Sequence, residues 1–62
     1  MMVYTAADKR KAVEREIALR KRVYANRIET GRMTQAQATY QITIFEEIAD
    51  DYLRLERTER LL

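Results

Sequence analysis

The chain lacks several residue types whose absence narrows its function. Its 62 residues contain no cysteine, no histidine, no proline and no tryptophan, and only one glycine. Without cysteine there is no disulfide and no thiolate metal site, and without histidine the other common metal ligand is missing. General acid–base catalysis near neutral pH mostly uses histidine, and covalent catalysis often uses cysteine. We therefore expect a protein that is not an enzyme and that carries no cofactor and no metal.

Long apolar runs are also missing. No stretch approaches the roughly 20 apolar residues that cross a bilayer, and residues 1–4 are too short for the apolar region of a signal peptide. The absence of cysteine is consistent with a reducing compartment. These observations predict a soluble, cytoplasmic protein with no membrane partner.

Residues 30–34 contain a helix stop followed at once by a helix start. Gly31 can adopt the left-handed conformation that ends a helix near Thr30. Thr34 can cap a new helix with its hydroxyl while Gln37 reaches back to the Thr34 N–H, which is the capping-box pattern. So little chain lies between the two signals that it must reverse direction tightly, and the flanking segments are predicted to form an antiparallel helical hairpin.

A spacing of three to four residues runs through both flanking segments. In the first it links Ala6, Arg10, Val13, Ile17, Arg20, Tyr24 and Arg27, and in the second Ala38, Gln41, Phe45, Ile48, Tyr52, Leu55, Glu59 and Leu62. A seven-residue apolar period predicts coiled-coil-like packing. The pattern predicts one all-α domain over residues 1–62, with helix 1 over about 6–29, a turn over 30–34 and helix 2 over about 35–60. Thr5 and Asp8 form a second capping-box pattern at the start of helix 1.

Folding the chain about Arg32 brings specific positions together. Ile17 is predicted to face Ile48, and Arg10 to face Leu55 or Glu56. Arg20 is predicted to face Phe45, with its stem packed and its guanidinium on Glu16, Glu46 or Glu47; the alternative for Arg20 is a phosphate-binding role. Gln41, also within the stripe, fixes register or binds a ligand.

Further apolar residues, including Leu53, lie off the central stripes. One partner helix cannot cover all of them. Exposed apolar surface of this extent usually marks an interface. We therefore expect two hairpins to associate as a homodimeric four-helix bundle, and a larger protein partner is the alternative. The predicted interface residues are Leu19, Val23, Ile42, Ile44, Phe45, Ile48, Tyr52 and Leu55.

Charge is divided unevenly along the chain, although the total is only +2. Residues 1–32 hold nine basic and four acidic side chains, and residues 33–62 hold three basic and six acidic ones. The simplest interpretation is that a basic helix lies against an acidic one. A second is that the charged side chains are solvated and have no specific role. A third is a nucleic-acid surface on helix 1, formed by Lys9, Arg10, Lys11, Arg20, Lys21 and Arg22. The acidic residues of helix 2, Glu46, Glu47, Asp50 and Asp51, form a solvated face or, less simply, a cation site.

Residues 20–24, 31–38 and 47–52 share a pattern, R-V-Y … G-x-M-T-Q-A-x-A … D-Y, with a group of short uncharacterised proteins from bacteriophages and prophages. The chain resembles this group over roughly residues 13–52. The resemblance implies an origin in a phage or an integrated element, and hence the cytoplasm of a bacterial host cell. It implies no activity. Together with the residue pattern it leads us to expect a small phage-type protein that acts through protein–protein interaction and self-association.

Overall fold

The computed structural model describes residues 3–61, which form two α-helices. Helix α1 spans Ala6–Glu29 and helix α2 spans Gln35–Leu61. The two helices pack against each other along their length as a hairpin, in a molecule that measures 48 × 17 × 16 Å. The predicted all-helical hairpin is thus confirmed. Leu62, which the spacing placed in the stripe of helix 2, lies outside the described residues.

The reversal between the helices is built by the residues that the sequence singles out. Gly31 has a φ of +78°, the left-handed conformation. The Gly31 N–H donates to the Ile28 carbonyl (3.1 Å) and the Arg32 N–H to the Arg27 carbonyl (2.8 Å). These two bonds are those of a Schellman motif, in which carbonyls of the last helical turn are satisfied by the chain that leaves it. Helix α1 therefore ends because a glycine at this position lets the backbone turn away.

Both helices begin with the predicted capping boxes. The Gln37 N–H donates to Thr34 Oγ1 (3.1 Å), and the Thr34 N–H donates to Gln37 Oε1 (3.0 Å). The same reciprocal pair joins Thr5 and Asp8 at the start of α1. Each box satisfies two backbone N–H groups that a helix start otherwise leaves without partners.

The interface between the helices is thin and contains small residues. Ile17 and Tyr24 of α1 are buried, and they meet a surface of α2 whose buried apolar residues are Ala38 and Ala49. Because alanine side chains are small, these two positions add little apolar volume to the interface. The remaining apolar positions of the interface are only half-buried: Val13, Ile28, Ile42, Phe45, Ile48, Tyr52 and Leu53.

The predicted stripe of helix 2 is wrong at its C-terminal end. The spacing predicts Leu55 in the central stripe, but its exposed fraction is 52%, and Ala49 and Glu56 are buried instead. A straight α-helix drifts by about 20° per heptad relative to a seven-residue repeat. The row Ile42, Ala49, Glu56 therefore rotates towards α1 along the helix, while Leu55 rotates out.

Gly31→Ala tests the turn. A Cβ at Gly31 would meet no atom within 4 Å, so the cost of the substitution comes from the backbone conformation alone. We expect Gly31→Ala to lower the free energy of unfolding by about 1 kcal/mol, measured by urea denaturation at fixed protein concentration.

Gly31→Asn is the matched control, because asparagine tolerates the left-handed region better than alanine. It is expected to lose less stability than Gly31→Ala. An alanine variant as stable as the wild type would contradict this description of the turn.

Candidate functional site

Arg20 lies at the centre of the hairpin over an aromatic ring. Its guanidinium carbon is 4.4 Å from the centroid of the Phe45 ring. Its Nε donates to Glu16 Oε1 (2.9 Å), and its Nη1 donates to the hydroxyl of the buried Tyr24 (2.9 Å). Arg20 thus packs over Phe45 as predicted, and of its three predicted partners, Glu16, Glu46 and Glu47, it pairs with Glu16. The arginine also satisfies the Tyr24 hydroxyl, which would otherwise carry a desolvation cost.

A second charged cluster closes the open end of the hairpin. The side chain of Glu56 is 9% exposed and receives the Nε–H of Arg10 at 2.7 Å. Arg60 donates to the same carboxylate from the next turn of α2 (2.9 Å), and Arg10 also pairs with the exposed Glu14 (2.8 Å). The carboxylate of Glu59 accepts the Ala6 N–H at the start of α1 (2.9 Å). Two long-range polar contacts thus hold the two ends of the chain together.

Arginine contacts change the titration of Glu56. The hydrogen bond from Arg10 lowers the pKa of Glu56 below the usual glutamate value, and the positive charges of Arg10 and Arg60 act in the same direction. Burial of the carboxyl acts in the opposite direction, but the net shift is downward. The carboxylate therefore stays ionised in a largely dehydrated position.

Glu56 is one of the two partners predicted for Arg10, and the structure confirms it at 2.7 Å. The sequence also held a signal that decides between the two. Arg10 falls within the stripe of α1, and folding about Arg32 left Leu55 or Glu56 as its partner. A charge that faces a helix interface needs an opposite charge there. Because Arg10 is charged, this rule selects Glu56 over Leu55 as its partner. The structure agrees, since Glu56 is buried and Leu55 is exposed.

One side of the hairpin, called here the groove side, carries shallow open grooves along the line where the helices meet. An exposed ion pair, Lys21 Nζ to Glu46 Oε2 (3.8 Å), crosses it. Ile42 and Leu53 contribute half-buried apolar surface. The groove side is lined by Arg10, Glu14, Lys21, Ala25 and Ile28 of α1 and by Gln35, Thr39, Ile42, Glu46, Asp50 and Leu53 of α2.

The opposite side, called here the open apolar face, consists of Leu19 and Val23 of α1 and Ile44 and Leu55 of α2. With about 3.6 residues per turn, each of these residues points away from the groove-side residues of its own helix. Their exposed fractions are 47%, 37%, 40% and 52%, respectively. The half-buried Ile48 continues this face towards the hairpin interface. The residues predicted for an interface are therefore divided between the hairpin interior, the groove side and this single exposed face.

The six basic residues of the predicted nucleic-acid surface are not gathered into one patch. Successive residues of a helix point about 100° apart, so the three side chains of residues 9–11, and likewise those of residues 20–22, point to different sides of α1. Arg10, Arg20 and Lys21 pair with glutamates, and Lys9 lies 5.9 Å from the centroid of the Tyr52 ring. The remaining two residues, Lys11 and Arg22, are exposed.

Within residues 3–61, no group of three carboxylate, histidine or cysteine side chains is placed to hold a metal ion. The acidic residues Glu46, Glu47, Asp50 and Asp51 of α2 are all exposed. Glu46 pairs with Lys21 and Asp50 pairs with Arg54. Neither helix, over the part described, has an apolar stretch long enough to cross a membrane.

Comparison with known proteins gives no relative. No protein-family model matches the chain, and neither a curated protein nor a solved structure matches it.

Glu56→Gln tests the charged cluster. The pKa of Glu56 is lower in the folded than in the unfolded chain. The ionised Glu56 carboxylate therefore contributes its full stability above about pH 4.3, the pKa of an unfolded glutamate, and this stability is lost as the pH falls through the pKa of Glu56 in the folded chain. We expect Glu56→Gln to be less stable than the wild type at neutral pH, and the difference to narrow below about pH 4, measured by urea denaturation across the pH range.

Glu14→Gln is the control, since Glu14 pairs with the same arginine but its side chain is 53% exposed. Its stability is expected to follow the wild type more closely at every pH. A gap between the wild type and Glu56→Gln that stays constant down to pH values of about 3 would contradict the lowered pKa.

Proposed function

We propose that this chain is a non-enzymatic protein that works through protein–protein contact, and that its primary partner is a second copy of itself. Two hairpins pack through their open apolar faces and form a four-helix bundle. The observation that carries the proposal is the incomplete core of the single hairpin. Among the described residues no large side chain is fully buried, while Leu19, Val23, Ile44 and Leu55 are exposed on one face.

The total surface supports the same proposal. The chain exposes 5164 Å², whereas a compact monomer of its 7.4 kDa mass is expected to expose roughly 4,200 Å². The excess of about 1,000 Å² is similar to the roughly 800 Å² that each partner buries in a stable interface of ordinary size. A second hairpin on the open apolar face removes an area of that order from water.

Self-association also adds stability to a domain of small size. A domain of this length buries little apolar surface alone, and small domains usually add disulfides, a metal or oligomerisation. The sequence contains neither cysteine nor histidine, so oligomerisation is the remaining device. The phage-type pattern of residues 20–52 supports an accessory role in a phage or prophage, served by this dimer.

A double substitution on the open apolar face tests the proposal. In Leu19→Glu/Ile44→Glu, association would bury four unpaired carboxylates per dimer, which is strongly unfavourable. We expect the wild type to be dimeric and this variant to be monomeric in sedimentation equilibrium at tens of micromolar.

Ala25→Glu/Thr39→Glu is the matched control, because it adds the same charge at exposed positions of the groove side. It is expected to remain dimeric. A wild type that sediments as a stable, folded monomer would overturn the proposal, as would a control that dissociates as fully as the face variant.

A further inference from the structure

We propose that the two hairpins pair about a two-fold axis parallel to their helices. Both turns then lie at the same end of the bundle, and α1 of each copy packs against α2 of the other. This inference rests on the self-association proposed above and adds its geometry. The observation behind it is the placement of four charged residues along the edges of the open apolar face.

The two edges of this face carry opposite charges. Arg15 and Arg22 lie on the outer edge of α1, beyond Leu19, and Glu47 and Asp51 lie on the outer edge of α2. All four are exposed. The ion pairs of residues 3–61 are formed by other side chains, so these four charges have no partner of opposite sign within the described hairpin. An apolar centre with a polar rim is the usual anatomy of a protein interface.

A two-fold axis parallel to the helices makes these edges complementary. Such an axis keeps every residue at its own height, so the basic edge of one copy meets the acidic edge of the other. The contact of Arg20 with Phe45 sets the heights within the hairpin. Five residues further from the turn on each helix, Arg15 of α1 lies level with residue 50 of α2. Arg15 is therefore within one helical turn of both Glu47 and Asp51 of the second copy.

The other way of joining the two open apolar faces places like charges together. A two-fold axis perpendicular to the helices sets α1 against α1 of the second copy, so the basic edge that carries Arg15 and Arg22 faces the same basic edge. The acidic edge that carries Glu47 and Asp51 likewise faces the acidic edge of the second copy. Like charges brought together across an interface disfavour the wrong alignment. The uneven charge of the whole chain, basic in residues 1–32 and acidic in residues 33–62, acts in the same direction.

A distance measurement between the two turns tests the geometry. The chain has no cysteine, so Arg32→Cys in the exposed turn introduces a single site for a spin label. We expect a label-to-label distance below about 25 Å, because neighbouring helices of a bundle lie only 8–10 Å apart. The perpendicular axis places the labels roughly 36 Å apart or more, which is the length of the 24-residue α1 at about 1.5 Å per residue.

A full charge exchange is the second test. The variant Arg15→Glu/Arg22→Glu/Glu47→Arg/Asp51→Arg exchanges the two edges while keeping the composition of charges. With the parallel axis, this variant pairs with itself, and its affinity for the wild type is at least about tenfold weaker than that of either homodimer. With the perpendicular axis, the mixed dimer with the wild type is favoured instead.

The outcomes separate the two proposals. A short label-to-label distance, together with a charge-exchanged variant that pairs with itself rather than with the wild type, supports both the dimer and its geometry. A dimer with a long label-to-label distance, or a preference of the variant for the wild type, overturns the parallel axis but remains consistent with self-association. A labelled wild-type background that is monomeric by sedimentation overturns both.

Discussion

The chain reversal at Gly31 is the constraint on which the rest of the structure depends. The left-handed glycine, the two bonds of the Schellman motif and the capping box at Thr34 leave the backbone few alternatives over residues 29–37. Because the turn is short and tightly bonded, it fixes which residue of α1 faces which residue of α2. The position of Arg20 over Phe45, far from the turn, is a consequence of that register.

Polar contacts reinforce the register set by the turn, which the thin apolar interface specifies only weakly. Arg20 over Phe45 and Arg10 on Glu56 are contacts that a shift by one residue would break. A buried ion pair adds little net stability, since its desolvation offsets much of the attraction, but leaving one member unpaired is costly. The same charges therefore discourage wrong alignments. The interior of a single hairpin has too little apolar volume to do this alone, and most of its residues are only half-buried.

Local signals explain how much of this fold could be predicted. The caps at Thr5 and Thr34, the turn at Gly31 and the stacking of Arg20 depend on neighbouring residues or on a register set by a short turn. The C-terminal half of α2 could not be predicted in the same way, because a seven-residue row drifts on a straight helix and Glu56 replaced Leu55 in the interface. All four residues of the open apolar face are among the eight that the sequence predicts for an interface. The restriction of this face to Leu19, Val23, Ile44 and Leu55 depends on how far each helix is rotated, which side-chain packing decides.

The central claim is that a second copy completes the core of this hairpin. Its most direct test is the dependence of the thermal midpoint on protein concentration, because association of the folded chain links stability to concentration. We expect Tm, followed by circular dichroism from about 1 to 300 µM, to rise steadily by several degrees. A Tm that stays the same over this range would show that the hairpin is stable by itself, and would contradict the account.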